Sequence, residues 1–175
     1  GSMLHDLGKI GIPVEILEYP GKLSPQAMNI MRTHVDITEK IFGDVIEDTV
    51  KSLALRHHEK LDGSGYPRGL AADDLSTGER IVAIADIISA LSGTRSYKTA
   101  FSKDKICTII TEMKDAGLID AAIVELMISD YDEIMEETRI QCQPILDIYV
   151  LIQKDFDRIS RAMTMDDIAG MKAVF

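Results

Sequence analysis

The stretch His57-His58-Glu59-Lys60-Leu61-Asp62-Gly63-Ser64-Gly65-Tyr66-Pro67-Arg68-Gly69 decides how the rest of this 175-residue chain is read. Just before it, Ile46, Val50, Leu53 and His57 recur at helical spacing, with Ala54 and His58 beside them. The expected element is a helix opened by Asp44, with Glu47 completing a capping box, that delivers two imidazoles at its inner C-terminal end. From Asp62 to Asp74 the glycines and Pro67 break any periodicity and predict a loop.

Outward from this stretch the apolar spacing stays helical and strand-like alternation is nearly absent. Toward the N-terminus, Ser24-Pro25 is an N-cap followed by proline at the first helical position. Met28, Met31, Val35 and Phe42 then predict one helix, carrying His34, that stops at Gly43. Toward the C-terminus, Thr77 caps a helix with Ile81, Ile84, Ala85, Ile88 and Leu91 as its apolar residues and Asp86 at the edge of the buried face. Gly93 ends it, and Thr94 to Lys98 form a basic connector. A helix from Ser102 stops near Gly117, and shorter ones follow from Asp120 and Tyr131. Pro144 predicts a break or kink, after which Ile145, Ile148, Ile152 and Phe156 read as a core stripe. Thr164 and Asp167 predict a capping box for a last short helix. The fold class is all-α.

Composition narrows the function. Hydrophobic residues make up 46% of the chain and charged residues 27%, enough for a packed core. The net charge of −10 argues against a broad nucleic-acid footprint, though a small anionic substrate stays open because bound metal ions dominate their own local field. No apolar run approaches the ~18 residues that span a bilayer, so no membrane contact is expected. Gly1-Ser2-Met3 reads as a cloning remnant and no secretory leader is expected. Cys107 and Cys142 read as reduced thiols, which fits a cytoplasmic location.

Four segments offer metal ligands. His5 and Asp6 are adjacent, so on a helix they point about 100° apart and can serve two metals. Lys9 is on the same face, where an ammonium would meet a substrate phosphate. His34, His57 and His58 can complete a second metal, and Asp86 can add to the first. Two metals a few Å apart activate a water for attack on phosphorus. Each residue also has a plainer reading: His34 as a core histidine, Asp86 as a hydrogen-bonded buried carboxylate, Lys9 as a solvated lysine, and Tyr66-Pro67 as a turn.

The ordered motifs His5-Asp6-Leu7-Gly8-Lys9-Ile10-Gly11-Ile12-Pro13, Thr33-His34, His57-His58-Glu59 through Gly65-Tyr66-Pro67, Ala85-Asp86 and Arg95-Ser96-Tyr97-Lys98 resemble the HD-GYP family. That family comprises metal-dependent phosphodiesterases of the HD hydrolase superfamily that open cyclic di-GMP. The resemblance implies an HD-type helical bundle with additional C-terminal helices. Its boundaries are 1–3 for the remnant, 4–130 for the phosphodiesterase domain and 131–175 for a helical extension packed on that domain. It implies two or three divalent metals, iron or manganese foremost, held by His5, Asp6, His34, His57, His58 and Asp86. Lys9 and Asp6 take the catalytic roles, while Arg95, Lys98, Gly65, Tyr66 and Pro67 contact the substrate. A homodimer and an upstream sensory or receiver domain are further expectations.

Two departures accompany the match. Family members carry a further metal-binding histidine on a helix upstream of the His-Asp pair, and that usual N-terminal helix is expected to be missing here. Ser89 stands where many members have a second aspartate. Two alternatives therefore accompany the enzyme reading. One is a catalytically weakened domain acting as a cyclic-dinucleotide receptor or docking module, and the other is an HD-superfamily hydrolase of another nucleotide.

Overall fold

The computed structural model describes residues 1–93 and 100–172, with side chains through residue 161. Arg95 and Lys98, two of the expected substrate contacts, lie outside the described residues. Among the described residues the chain is all-α, with no strand beyond one isolated bridge between Asp62 and Ala71. The helices are α1 (Val14–Leu17), α2 (Pro25–Arg32), α3 (His34–Phe42), α4 (Asp48–Leu55), α5 (Thr77–Ser92), α6 (Lys103–Asp115), α7 (Ala121–Ser129) and α8 (Tyr131–Lys172). The chain divides into two compact units, Gly1–Ile128 and Ser129–Phe175.

The first unit departs from the expected helix boundaries at four places. The single helix expected to run from Pro25 to Phe42 is broken at Thr33. The Thr33 amide and hydroxyl both bond back to the Ile30 carbonyl, at 3.0 and 2.7 Å, and so tighten and close α2. A new helix then starts at His34, and Gly43 ends it with φ of +50°, a conformation glycine adopts without strain. The next helix is not opened by Asp44. Its cap is Glu47, whose carboxylate accepts from the Thr49 amide. It closes at Leu55, so His57 and His58 occupy the turn beyond the helix rather than its last turn. For α5 the cap is Ser76, one residue before the expected Thr77, in a full capping box with Glu79.

Glu79 and Arg80 fix the start of α5. Buried Glu79 accepts from Arg56 at 3.0 Å and from the Ser76 amide at 2.7 Å. Arg80 reaches the Leu75 and Ala72 carbonyls and pairs with Asp120 at 2.8 Å. Charge-assisted bonds of this kind are short and roughly twice as strong as neutral ones. Beyond this anchor α5 packs on α6 with Ile84, Ile88, Ile106 and Ile110 buried, which fixes where Asp86 stands.

The His5-Asp6 segment is held by a close approach of backbones. A 3₁₀ turn over Leu7–Gly11 lies directly on α3. There the Gly8 amide donates to the buried Thr38 hydroxyl at 2.8 Å, and that hydroxyl donates to the His34 carbonyl at 2.9 Å. A Cβ on Gly8 would run into the His34 carbonyl and come within 2.7 Å of the Thr38 amide. Glycine is required here by space rather than by φ.

The second unit is one helix. Of the break or kink expected at Pro144, a break does not occur: the backbone stays helical through Lys172, past the separate helix expected from Thr164. Pro144 removes one backbone donor without ending the helix. Ile145, Ile148, Ile152 and Phe156, read as core from their spacing, are all exposed. The spacing is that of an apolar face, and among the described residues of this unit nothing covers it.

Gly8→Ala is expected to destabilise the first unit by roughly 1–3 kcal/mol, the usual cost of overpacking. Denaturant unfolding reads this directly, and a midpoint equal to that of the unaltered chain would contradict the close-approach argument.

Candidate functional site

The 3₁₀ turn, α3, the turn after α4 and the middle of α5 bring His5, Asp6, Lys9, His34, His57, His58 and Asp86 together. Two overlapping groups have ligand atoms within 4.8 Å of one another: His34, His57 and His58, and then His5, Asp6 and His57. Asp86 lies beside both, 3.5 Å from His5 Nε2 and 3.9 Å from His58 Nδ1. All six expected metal ligands, drawn from four chain segments, thus meet in one place.

The ring orientations follow from backbone contacts. His34 Nδ1 lies 2.7 Å from the Met31 carbonyl, and His57 Nδ1 lies 2.7 Å from the Ala54 carbonyl. A carbonyl only accepts, so each Nδ1 carries the proton and each neutral ring turns a bare Nε2 inward. Those two Nε2 atoms are 3.5 Å apart, and Asp6 Oδ1 is 3.5 Å from one and 4.0 Å from the other. Asp6 Oδ1 is buried and has no hydrogen-bond partner. Three lone pairs therefore converge with no proton between them. Imidazole nitrogen and carboxylate oxygen suit a divalent transition metal, so the residues present fit such an ion.

Burial and charge divide the titration of the site. Burial lowers His34, lowers His57 to about 4, and lowers His58, with His57 beside it, to about 3. His5 moves the other way, raised to about 10 by hydrogen bonds to Asp6 and Asp86. For Asp6, burial pushes the carboxyl up, but hydrogen bonds from His5 and Lys9 outweigh it and hold the group well below the usual carboxylate range. Asp86 is likewise lowered, with the His5 hydrogen bond and nearby histidines overcoming burial. Lys9 Nζ sits 2.5 Å from Asp6 Oδ2 at the opening of the site.

The glycine-rich loop forms one wall. The Tyr66 ring stacks on His58 with centroids 4.6 Å apart, and the Arg32 guanidinium lies 4.8 Å from the Tyr66 centroid. Burial pushes the Tyr66 hydroxyl up, so it stays protonated. Gly65 passes so close to the preceding turn that a Cβ would meet Glu59 Cα at 2.5 Å and the His58 carbonyl at 2.6 Å. The peptide bond before Pro67 is cis. A cleft of about 560 Å³ opens over the centre between Lys9, Tyr19, Lys22, Met31 and Tyr66, within the size range of small-molecule sites.

Three contributors escaped the sequence reading. Buried Glu59 accepts from the Arg68 amide at 2.7 Å and the Leu70 amide at 3.0 Å, which ties the loop to the histidine turn. Its signal was a charged residue at the end of an apolar helical face. Thr38 and Arg32 gave no such signal, because their roles depend on Gly8 and Tyr66, distant in sequence.

The HD domain family profile matches residues 1–123, and the chain belongs to that family. Among curated relatives, a 3′3′-cGAMP-specific phosphodiesterase of Vibrio cholerae is 40% identical over 135 residues, covering 75% of this chain and 26% of the relative. A cyclic di-GMP phosphodiesterase of the same organism is 39% identical over 134 residues, covering 72% of this chain and 27% of the relative. A cyclic di-GMP phosphodiesterase of Thermotoga maritima is 45% identical over 98 residues, covering 54% and 27%. The chain thus spans about a quarter of the length of these relatives. No helix among the described residues is long and apolar enough to cross a membrane.

In the metal-free protein the two sets of shifts set an optimum. The lowered histidines contribute stability that is complete above their ordinary value near 6.5 and is lost as pH falls toward 4. The raised His5 contributes stability that is complete below that value and is lost as pH rises toward 10. Urea midpoints measured in chelator are therefore expected to peak near neutrality, and the alkaline decline should flatten in His5→Gln. A profile without either decline would contradict these assignments.

Proposed function

We propose that this chain carries the catalytic domain of a metal-dependent phosphodiesterase that hydrolyses cyclic di-GMP. The observation that carries the reading is the convergence of His34 Nε2, His57 Nε2 and the unpartnered Asp6 Oδ1 beneath a cleft with Lys9 at its opening. Relatives named as cyclic di-GMP phosphodiesterases support the substrate class.

His34, His57 and His58 would hold one metal, and His5, Asp6 and Asp86 another. Iron or manganese is the preferred ion, from the HD-GYP resemblance. When bound, the metals supply Lewis acidity that acidifies a water and polarises a phosphoryl oxygen. The protein's own groups do the rest. In the reaction, water oxygen bonds to phosphorus, the bond to the 3′ oxygen breaks, and that oxygen takes up a proton. Lys9 presents an ammonium to the phosphoryl oxygens, where negative charge grows. The Nδ1 bonds to the Met31 and Ala54 carbonyls keep the His34 and His57 rings in one tautomer, and Asp86 orients His5. The Tyr66 ring, packed between His58 and Arg32, gives the cleft wall its shape on the substrate side. From the sequence resemblance, Arg95 and Lys98 would contact the dinucleotide, and Gly65 and Pro67 shape the substrate loop.

A second substrate, 3′3′-cGAMP, is favoured by one specific observation: a relative of comparable identity bears that specificity in its name. An upstream sensory or receiver domain and a cytoplasmic location complete the proposed setting.

Incubating the chain with Mn²⁺ or Fe²⁺ and each cyclic dinucleotide, under reducing conditions, tests the reading by chromatography of linear product and GMP. We expect turnover of cyclic di-GMP that chelator abolishes. Lys9→Ala should lower kcat by roughly 10²–10³, as loss of one charge-stabilising group does. Metal-dependent turnover of 3′3′-cGAMP alone would select the second substrate. No turnover of either would contradict activity in this chain.

A further inference from the structure

The second unit carries an apolar face that the metal centre does not use. From Met135 to Ile159, α8 places an uncharged residue at every third and then every fourth position without a slip: Cys142, Ile145, Tyr149, Ile152, Phe156 and Ile159 are the last six. This alternation is the 3.5-residue repeat of a helix that packs along its length on another helix. From Ile145 to Ile159 these residues are 56–65% exposed.

The polar side chains leave that face free. Gln143 donates to Asp147 and Gln153 to Asp157 along the flanks, and Arg158 pairs with Asp155 at 3.2 Å. No charged residue falls on the repeat itself between Met135 and Ile159. Two identical helices can therefore meet along this face without opposing like charges. Leu146 and Ile148 widen it on either side. Together the exposed apolar residues on and beside the repeat present on the order of 900 Å² per chain, compared with roughly 800 Å² per partner in a stable interface. The largest apolar patch on a monomer is typically about 300–600 Å².

We propose that α8 is a dimerisation helix, and that the occupant of its apolar face is α8 of a second copy of this chain. The repeat is uncharged and self-complementary, as a two-fold interface between identical chains requires. The exposed face is large enough to supply the area that each partner of a stable dimer buries. A helix of 42 residues also gains its stability from packing an apolar face rather than from its ends. This inference does not depend on the metal-centre reading.

Sedimentation equilibrium of the intact chain, with and without two substitutions, tests it. Ile152 lies on the repeat, and Leu151, equally exposed at 61%, lies on the opposite side of the helix. The unaltered chain should sediment at twice its 19.4 kDa mass at micromolar concentration. Ile152→Glu should weaken the dimer by roughly 100-fold or more, as loss of a central interface residue does, while Leu151→Glu should change it by less than about threefold. Because both variants add the same charge to the same helix, a folding defect alone would act on both. A 19.4 kDa species at all concentrations, or equal weakening by both substitutions, would overturn the proposal.

Discussion

The candidate site of the first unit turns on one electrostatic problem. His34 Nε2, His57 Nε2 and Asp6 Oδ1 face each other at 3.5 to 4.0 Å, and backbone carbonyls already occupy the other nitrogen of both rings. Bringing three lone pairs together in a buried place is unfavourable unless a cation takes them up. The fold bears this cost because its elements are fixed by contacts outside the cluster. Thr38 and Gly8 press the His5-Asp6 turn onto α3, Glu59 ties down the loop, and Glu79 and Arg80 set the start of α5.

The division of charge within the cluster is equally purposeful. The inner histidines are neutral because they are buried, whereas His5 holds its proton between two carboxylates nearer the surface. A divalent ion held by His5 would take the place of that proton, so its binding is expected to release a proton and to tighten as pH rises. Lys9 is paired with Asp6 and lines the cleft.

Most of this was legible in the sequence for a physical reason. Residues able to ligate a metal are chemically rare and recur at motif spacings, and His5, Asp6, His34, His57, His58 and Asp86 stand out against an apolar helical background and cluster in the fold. What was not legible depended on tertiary contacts. Thr33 breaks a helix whose apolar spacing runs on unbroken, because its side chain competes for the Ile30 carbonyl. Thr38 matters only because Gly8 lies against it, and Glu59 only because the loop folds back over it. The Ile145 to Phe156 stripe shows the opposite limit: periodicity identified the apolar face correctly but could not say whether this chain or another covers it.

The central claim is that these converging lone pairs form a metal centre. Anomalous diffraction at the manganese edge, from crystals of the chain grown with Mn²⁺, tests it most directly. The account predicts an anomalous peak within coordination distance of His34 Nε2 and His57 Nε2, with Asp6 Oδ1 drawn onto the ion. A fully occupied manganese elsewhere, with these three atoms unliganded, would contradict it.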